Sequence, residues 1–168
     1  MNEQLRTGPN GGARAAEPGR VVVAVDGSPP SVAALRWAVG LAAGTGWSID
    51  AMMVWQQPVS YGWDVSIETI DWEGDAQKAL TAVLDDEFGT QRPAGLRAFV
   101  VHGDPAHCLI EHARGARLLV LGNRGHGGFV GLLLGSVSAK CAAHAPCPVL
   151  IVHAEDVAPT APTGEIAQ

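Results

Sequence analysis

The chain has 168 residues, 47% hydrophobic and 17% charged, which suits one globular domain with a real core and hardly two. Its net charge of −6 argues against a general nucleic-acid or anionic-membrane surface, and no apolar stretch approaches the roughly 20 residues that span a bilayer. Three cysteines, odd in number and sparse, fit a reducing cytosol better than a disulfide scaffold.

Residues 1–19 mix Gly, Pro, Ala and Arg without period and read as a flexible tail. They hold no apolar signal-peptide core, so a cytoplasmic protein is expected. "RVVVAVD" (20–26) is a β-branched run ending at an acid, a first strand. "PSVAALRWAVGLAAGTG" follows with Val32, Leu35, Val39 and Ala42 at helical spacing. "SIDAMMVW" (48–55) is a second strand. "DWEGDAQKALTAVLDDEFG" carries Ala76, Leu80, Val83 and Leu84 on one helical face, with Asp85, Asp86 and Glu87 on a solvated one. "LRAFVVHG" (96–103) is a third strand. "DPAHCLIEHARG" opens with Asp104 as N-cap and Pro105 at the first helical position, and stops at Gly115. "RLLVLG", "SVSAKCAAHA" and "CPVLIVH" supply a fourth strand, a fourth helix and a fifth strand, and residues 154–168 read as a second flexible tail.

Strands so continuously apolar are buried on both faces, the habit of a parallel sheet covered by helices. The expectation is a single doubly wound α/β domain over 20–153. Ligands in such sheets bind beyond the carboxyl ends of the strands, where the strand order reverses. That places Asp26, Val54, Trp55 and the loop "GNRGHGGFVGLLLGS" (122–136) as functional candidates. Six of the loop's fifteen residues are glycine, which lets backbone turn sharply and approach a ligand. Its amides can form an anion nest, and Ser136 opens the next helix as an N-cap or a hydroxyl donor to phosphate. The lysine-containing P-loop pattern is absent, and "DGSPPS" after strand one lacks the dinucleotide fingerprint. A flexible surface loop ahead of a capped helix is the competing reading of the same residues.

Gly122, Gly125, Gly135 and Ser136 follow the pattern Gly-x2-Gly-x9-Gly-Ser, and "VVVAVDGS", "GDP", "GSVS" and "CPVLIV" stand beside it. In these features residues 20–153 resemble the nucleotide-binding branch of the universal stress proteins. The resemblance implies a five-stranded sheet in the order 3-2-1-4-5 and a crevice for ATP between strands 1 and 4. It implies that Gly125, Gly135 and Ser136 cradle the phosphates, with Gly122 in the motif and Val137 adding an amide. Asp26 would lie near ribose and phosphates, through Mg or Mn if a metal accompanies the nucleotide. Val54 would bond adenine through its backbone, and Ala24 and Leu121 would line the pocket. Asn123 stands where the family usually has Ser or Thr, and its amide can still donate to a phosphate. Arg124 and His126 are either phosphate contacts or solvated loop residues.

Cys141, His144 and Cys147 invite a zinc reading, but they straddle a helix and the next strand, so buried thiols are expected there and at Cys108 instead. His102, His107 and His112 show no usable pairing. Trp63 and Trp72 either cover an adenine or pack on the sheet. No dedicated catalytic base is visible, so a regulatory nucleotide-binding protein is expected. A slow ATPase or phosphotransfer enzyme, and an interaction protein with a vestigial pocket, remain as alternatives. The resemblance also points to a homodimer through the strand at Pro148–Val152, whose open apolar edge needs cover. Arginine outnumbers lysine nine to two, a bias of GC-rich bacterial genomes.

Overall fold

The computed structural model describes residues 19–57, 70–125 and 134–155. The β-branched run at the start forms β1 (Arg20–Ala24), and α1 (Pro29–Thr45), β2 (Ser48–Trp55), α2 (Trp72–Phe88), β3 (Leu96–His102), α3 (Pro105–His112), β4 (Leu118–Gly122), α4 (Ser136–His144) and β5 (Val149–Val152) follow. All strand pairs are parallel, and the order is β3-β2-β1-β4-β5, as the resemblance implies.

The continuous apolar runs have a simple cause. Val21, Val23, Ala51, Met53 and Val120 point to the face covered by α1 and α2, while Val22, Met52, Leu119 and Leu121 point to the face covered by α3 and α4. With both faces buried, no position in the central strands can be given to a solvated side chain. Among the described residues no helix is long and apolar enough to cross a membrane.

Local signals place the helix ends. Ser28, Asp71 and Asp104 cap α1, α2 and α3 through their side chains, and Pro105 sits in the first turn of α3. Several bounds differ from expectation. β1 ends at Ala24, although Val25 still donates to Met52 O at 2.9 Å, so Asp26 lies just outside the sheet. α3 ends at His112, three residues before Gly115. Ser136 is the first residue of α4 rather than its cap, which is Gly135. α1 buries Ala34, Leu35, Ala38 and Ala42, with Val32 and Val39 only half-buried. Small side chains let this helix approach the sheet closely, and that rotates its buried face away from the bulkier residues that hydropathy favours. Glu87 is not simply solvated, since both its oxygens pair with Arg36 of α1 at 2.6 and 2.7 Å. Cys141 is fully buried, whereas Cys108 and Cys147 are half-buried. The N- and C-terminal tails, His126 and Trp63 fall on positions outside the described residues or at their limits.

Candidate functional site

A cavity of about 350 Å³ opens beyond the ends of β1 and β4, where the strand order reverses. That volume lies within the usual range of small-ligand sites, roughly 300–1,000 Å³. β2 and α3 build an apolar wall from Met52, Val54, Pro105 and Leu109, and Leu121 and Val137 extend it. Ala24 lines the cavity at the end of β1. The alternation of β2 also matters. Met52 O faces β1 and accepts from Val25, while Trp55 O faces β3 and accepts from Gly103 at 3.0 Å. The amide and carbonyl of Val54 therefore turn toward the β1 side, beyond the residue where β1 stops, and border the cavity.

The exits of β1 and β4 and the starts of α1 and α4 supply the polar end: Asp26, Ser31, Arg124, Ser136 and Ser138. Asp26 Oδ1 accepts from Ser28 N at 2.9 Å and from the Ser28 hydroxyl, and the Asp26 amide donates to Ser31 Oγ at 3.3 Å. Arg124 Nε is buried without a hydrogen-bond partner. No side chain caps α4, so the amides of Ser136, Val137 and Ser138 lack an intrahelical acceptor.

The three motif glycines do different work. A Cβ on Gly122 would stand 2.7 Å from Pro30 C and 2.9 Å from Ser31 N, so this glycine lets the start of α1 pack against β4. A Cβ on Gly125 would come closer than 3.0 Å to Asp26 Oδ2, so this glycine makes room for the carboxylate. Among the described residues, a Cβ on Gly135 would meet nothing nearer than the 3.5 Å of Arg124 Cα. That is ordinary van der Waals contact, so the described residues tolerate a Cβ there.

The side chain of one candidate residue has a partner outside the cavity. Asn123 does not line the cavity; its Nδ2 lies 2.9 Å from His153 Nδ1, beyond the end of β5. Position in the chain cannot reveal this, because His153 is thirty residues away. Trp72 starts α2 and is not part of the cavity wall.

Sequence reasoning also missed a charged cluster at the opposite end of the sheet. Asp50 is 1% exposed in an otherwise apolar strand. It accepts from Arg97 Nε at 2.7 Å and Arg20 Nη1 at 3.1 Å, and His112 Nε2 lies 2.9 Å away. Arg20 also donates to the carbonyls of His112 and Arg114, fastening the end of α3. Burial works to raise the Asp50 carboxyl, but hydrogen bonds from His112, Arg97 and Arg20 and the charge of Arg97 outweigh it and hold it below the usual carboxylate range. An acid inside an apolar strand was the one available signal.

The universal stress protein family model matches residues 18–153. A universal stress protein of Mycolicibacterium smegmatis is 33% identical over 136 residues, 79% of this chain and 45% of that protein. The chain thus spans about half the length of that relative. Among solved structures, a universal stress protein in complex with cAMP is 29% identical at a TM-score of 0.53, covering 81% of this chain and 97% of the other. A universal stress protein family member from Arabidopsis thaliana with AMP bound shares the fold at 22% identity and a TM-score of 0.52, over 81% of this chain and 91% of that one.

Proposed function

The chain belongs to the universal stress protein family, and on that premise we propose that it is a regulatory protein that holds an adenine nucleotide, ATP foremost, in the cavity at the β1/β4 switch point. One observation carries the reading. Among the described residues, the first-turn amides of α4 stand without an intrahelical acceptor at the polar end of a largely apolar cavity, and Arg124, whose Nε is buried and unpaired, lines the same end. Such a set suits an anion at a helix N-terminus. The apolar wall of Met52, Val54, Leu109 and Leu121 suits a purine, with the Val54 backbone at its edge. The cAMP complex of a 29% identical relative supports the same ligand class.

Ser136 and Val137 would meet the phosphates through their amides, Ser136 also through its hydroxyl, and Gly125 and Gly135 would let them come close. A divalent Mg or Mn ion accompanying a triphosphate would neutralise phosphate charge, and Asp26, an acid lining the cavity, would hold it. Binding is favoured over turnover, because Asp26 Oδ1 is committed to Ser28 rather than poised as a base. The nucleotide then acts as a bound signal in a cytoplasmic homodimer. β5 is an edge strand, and its alternation turns the amides of Val149 and Ile151 outward, since Pro148 O and Val152 O accept from β4 and its exit.

Purified protein should release an adenine nucleotide on denaturation, or bind added AMP, cAMP or ATP in calorimetry with one site per chain. Protein that carries no nucleotide and shows no heat with any of the three would refute the reading. Multiple turnovers of labelled ATP, lost in a Ser136→Ala variant, would make it an enzyme instead.

A further inference from the structure

We propose that Asn123 and His153 form a positioning pair that holds the anion cradle in place from outside the cavity, a role that rests on the nucleotide reading above. Asn123 is the first residue past β4 and joins three elements. Its amide donates to Val152 O at 2.7 Å, its side chain bonds His153, and its carbonyl accepts from the Gly135 amide at 2.7 Å. Alongside, the buried Ser138 hydroxyl donates to Gly122 O at 2.7 Å. The first turn of α4 thus hangs from the exit of β4, and that exit is pegged to the exit of β5.

The peg matters because α4 cannot place itself. Gly135 caps it without a side chain, so its first turn is placed by its two ties to the β4 exit, the Ser138 hydroxyl on Gly122 O and the Gly135 amide on Asn123 O. A carbonyl is only as well placed as its own residue. Asn123 has two bonds to the β5 exit, one through backbone to Val152 and one through its side chain to His153. Removing the side-chain bond leaves a single backbone contact about which the peptide can pivot. With a neutral imidazole, Asn123 Nδ2 donates to His153 Nδ1. Edge strand and phosphate site then behave as one mechanical unit, and phosphate affinity depends on two side chains that touch no ligand.

Calorimetry with adenosine, AMP and ATP on the full chain tests this. Asn123→Ala and His153→Ala should each weaken AMP and ATP binding about tenfold, the effect of one hydrogen bond at the upper end of its net worth, and adenosine less than about twofold. The double variant should lose less than the two single losses combined, because both remove the same bond. Hydrogen exchange at the Gly135 amide should quicken in both variants without any ligand. His153 is exposed, so its variant checks the pair even where Asn123→Ala folds poorly. Wild-type affinity for AMP in both folded variants overturns the pairing role, as do equal losses for adenosine and AMP. A wild-type protein that binds none of the three ligands overturns the nucleotide reading and this role together.

Discussion

Gly122→Ala builds a Cβ 2.7 Å from Pro30 C and 2.9 Å from Ser31 N, both backbone atoms that cannot rotate aside. Carbon atoms sit comfortably at about 3.5–4.0 Å, so the start of α1 must retreat from β4 by roughly 1 Å. Overpacking of this kind costs about 1–3 kcal/mol. With an unfolding entropy near 2.1 cal/mol/K per residue and a domain of roughly 130 residues, a 2 kcal/mol loss lowers Tm by about 7 °C. Gly135→Val should behave oppositely. Its nearest neighbours leave 3.5 Å and its φ of −70° is ordinary, so Tm should stay within about 3 °C of wild type. Its side chain would nonetheless stand in the cradle and abolish AMP and ATP binding. Gly125→Ala forces the Asp26 carboxylate to swing off Ser28, at about 1 kcal/mol per hydrogen bond lost. Asp26→Ala removes that obstacle, so Gly125→Ala should cost less on that background than on the wild type. Thermal unfolding without ligand, paired with calorimetric titration, reads all three. A Gly122→Ala protein that melts with the wild type, or a Gly135→Val protein that melts as low as Gly122→Ala, would refute this division of labour.

Asp50→Ala leaves Arg20 and Arg97 without their buried counter-charge and should cost about 3–5 kcal/mol in urea unfolding. Because the folded Asp50 carboxyl lies below its ordinary value, its stabilisation is present above about pH 4 and is lost as the pH falls through the folded value; the variant should lack that part of the acid transition. Burial, with Asp104 adding, pushes the Cys141 thiol up to about 11, so it should resist thiol reagents at about pH 8 until urea is added, and replacing it should change nucleotide affinity little. Ile151→Pro removes an outward amide of β5 without touching its ladder to β4, and should turn a dimer into a folded monomer by sedimentation; an unaffected dimer places the interface elsewhere. A charge at Val152 is the wrong probe, since that side chain is 1% exposed and belongs to the core.

The sequence by itself determined the alternation of the nine described elements, because strand and helix periods and capping residues act over a few neighbours. Ser28, Asp71 and Asp104 start helices wherever the chain is placed, and apolar runs such as "RVVVAV" demand cover on both faces. The strand ends, and with them Asp26, Val54 and Gly122, could be singled out for the same reason. Pro105 and Leu109 became cavity wall only when α3 crossed over β2. Tertiary structure likewise decided which way Asn123 turns, what each glycine makes room for, and that Arg20, Asp50, Arg97 and His112 converge from positions 30 to 62 residues from the acid. These are contacts between residues far apart in the chain. Their geometry follows from strand register and helix rotation, which close packing of the whole domain sets and no local pattern encodes.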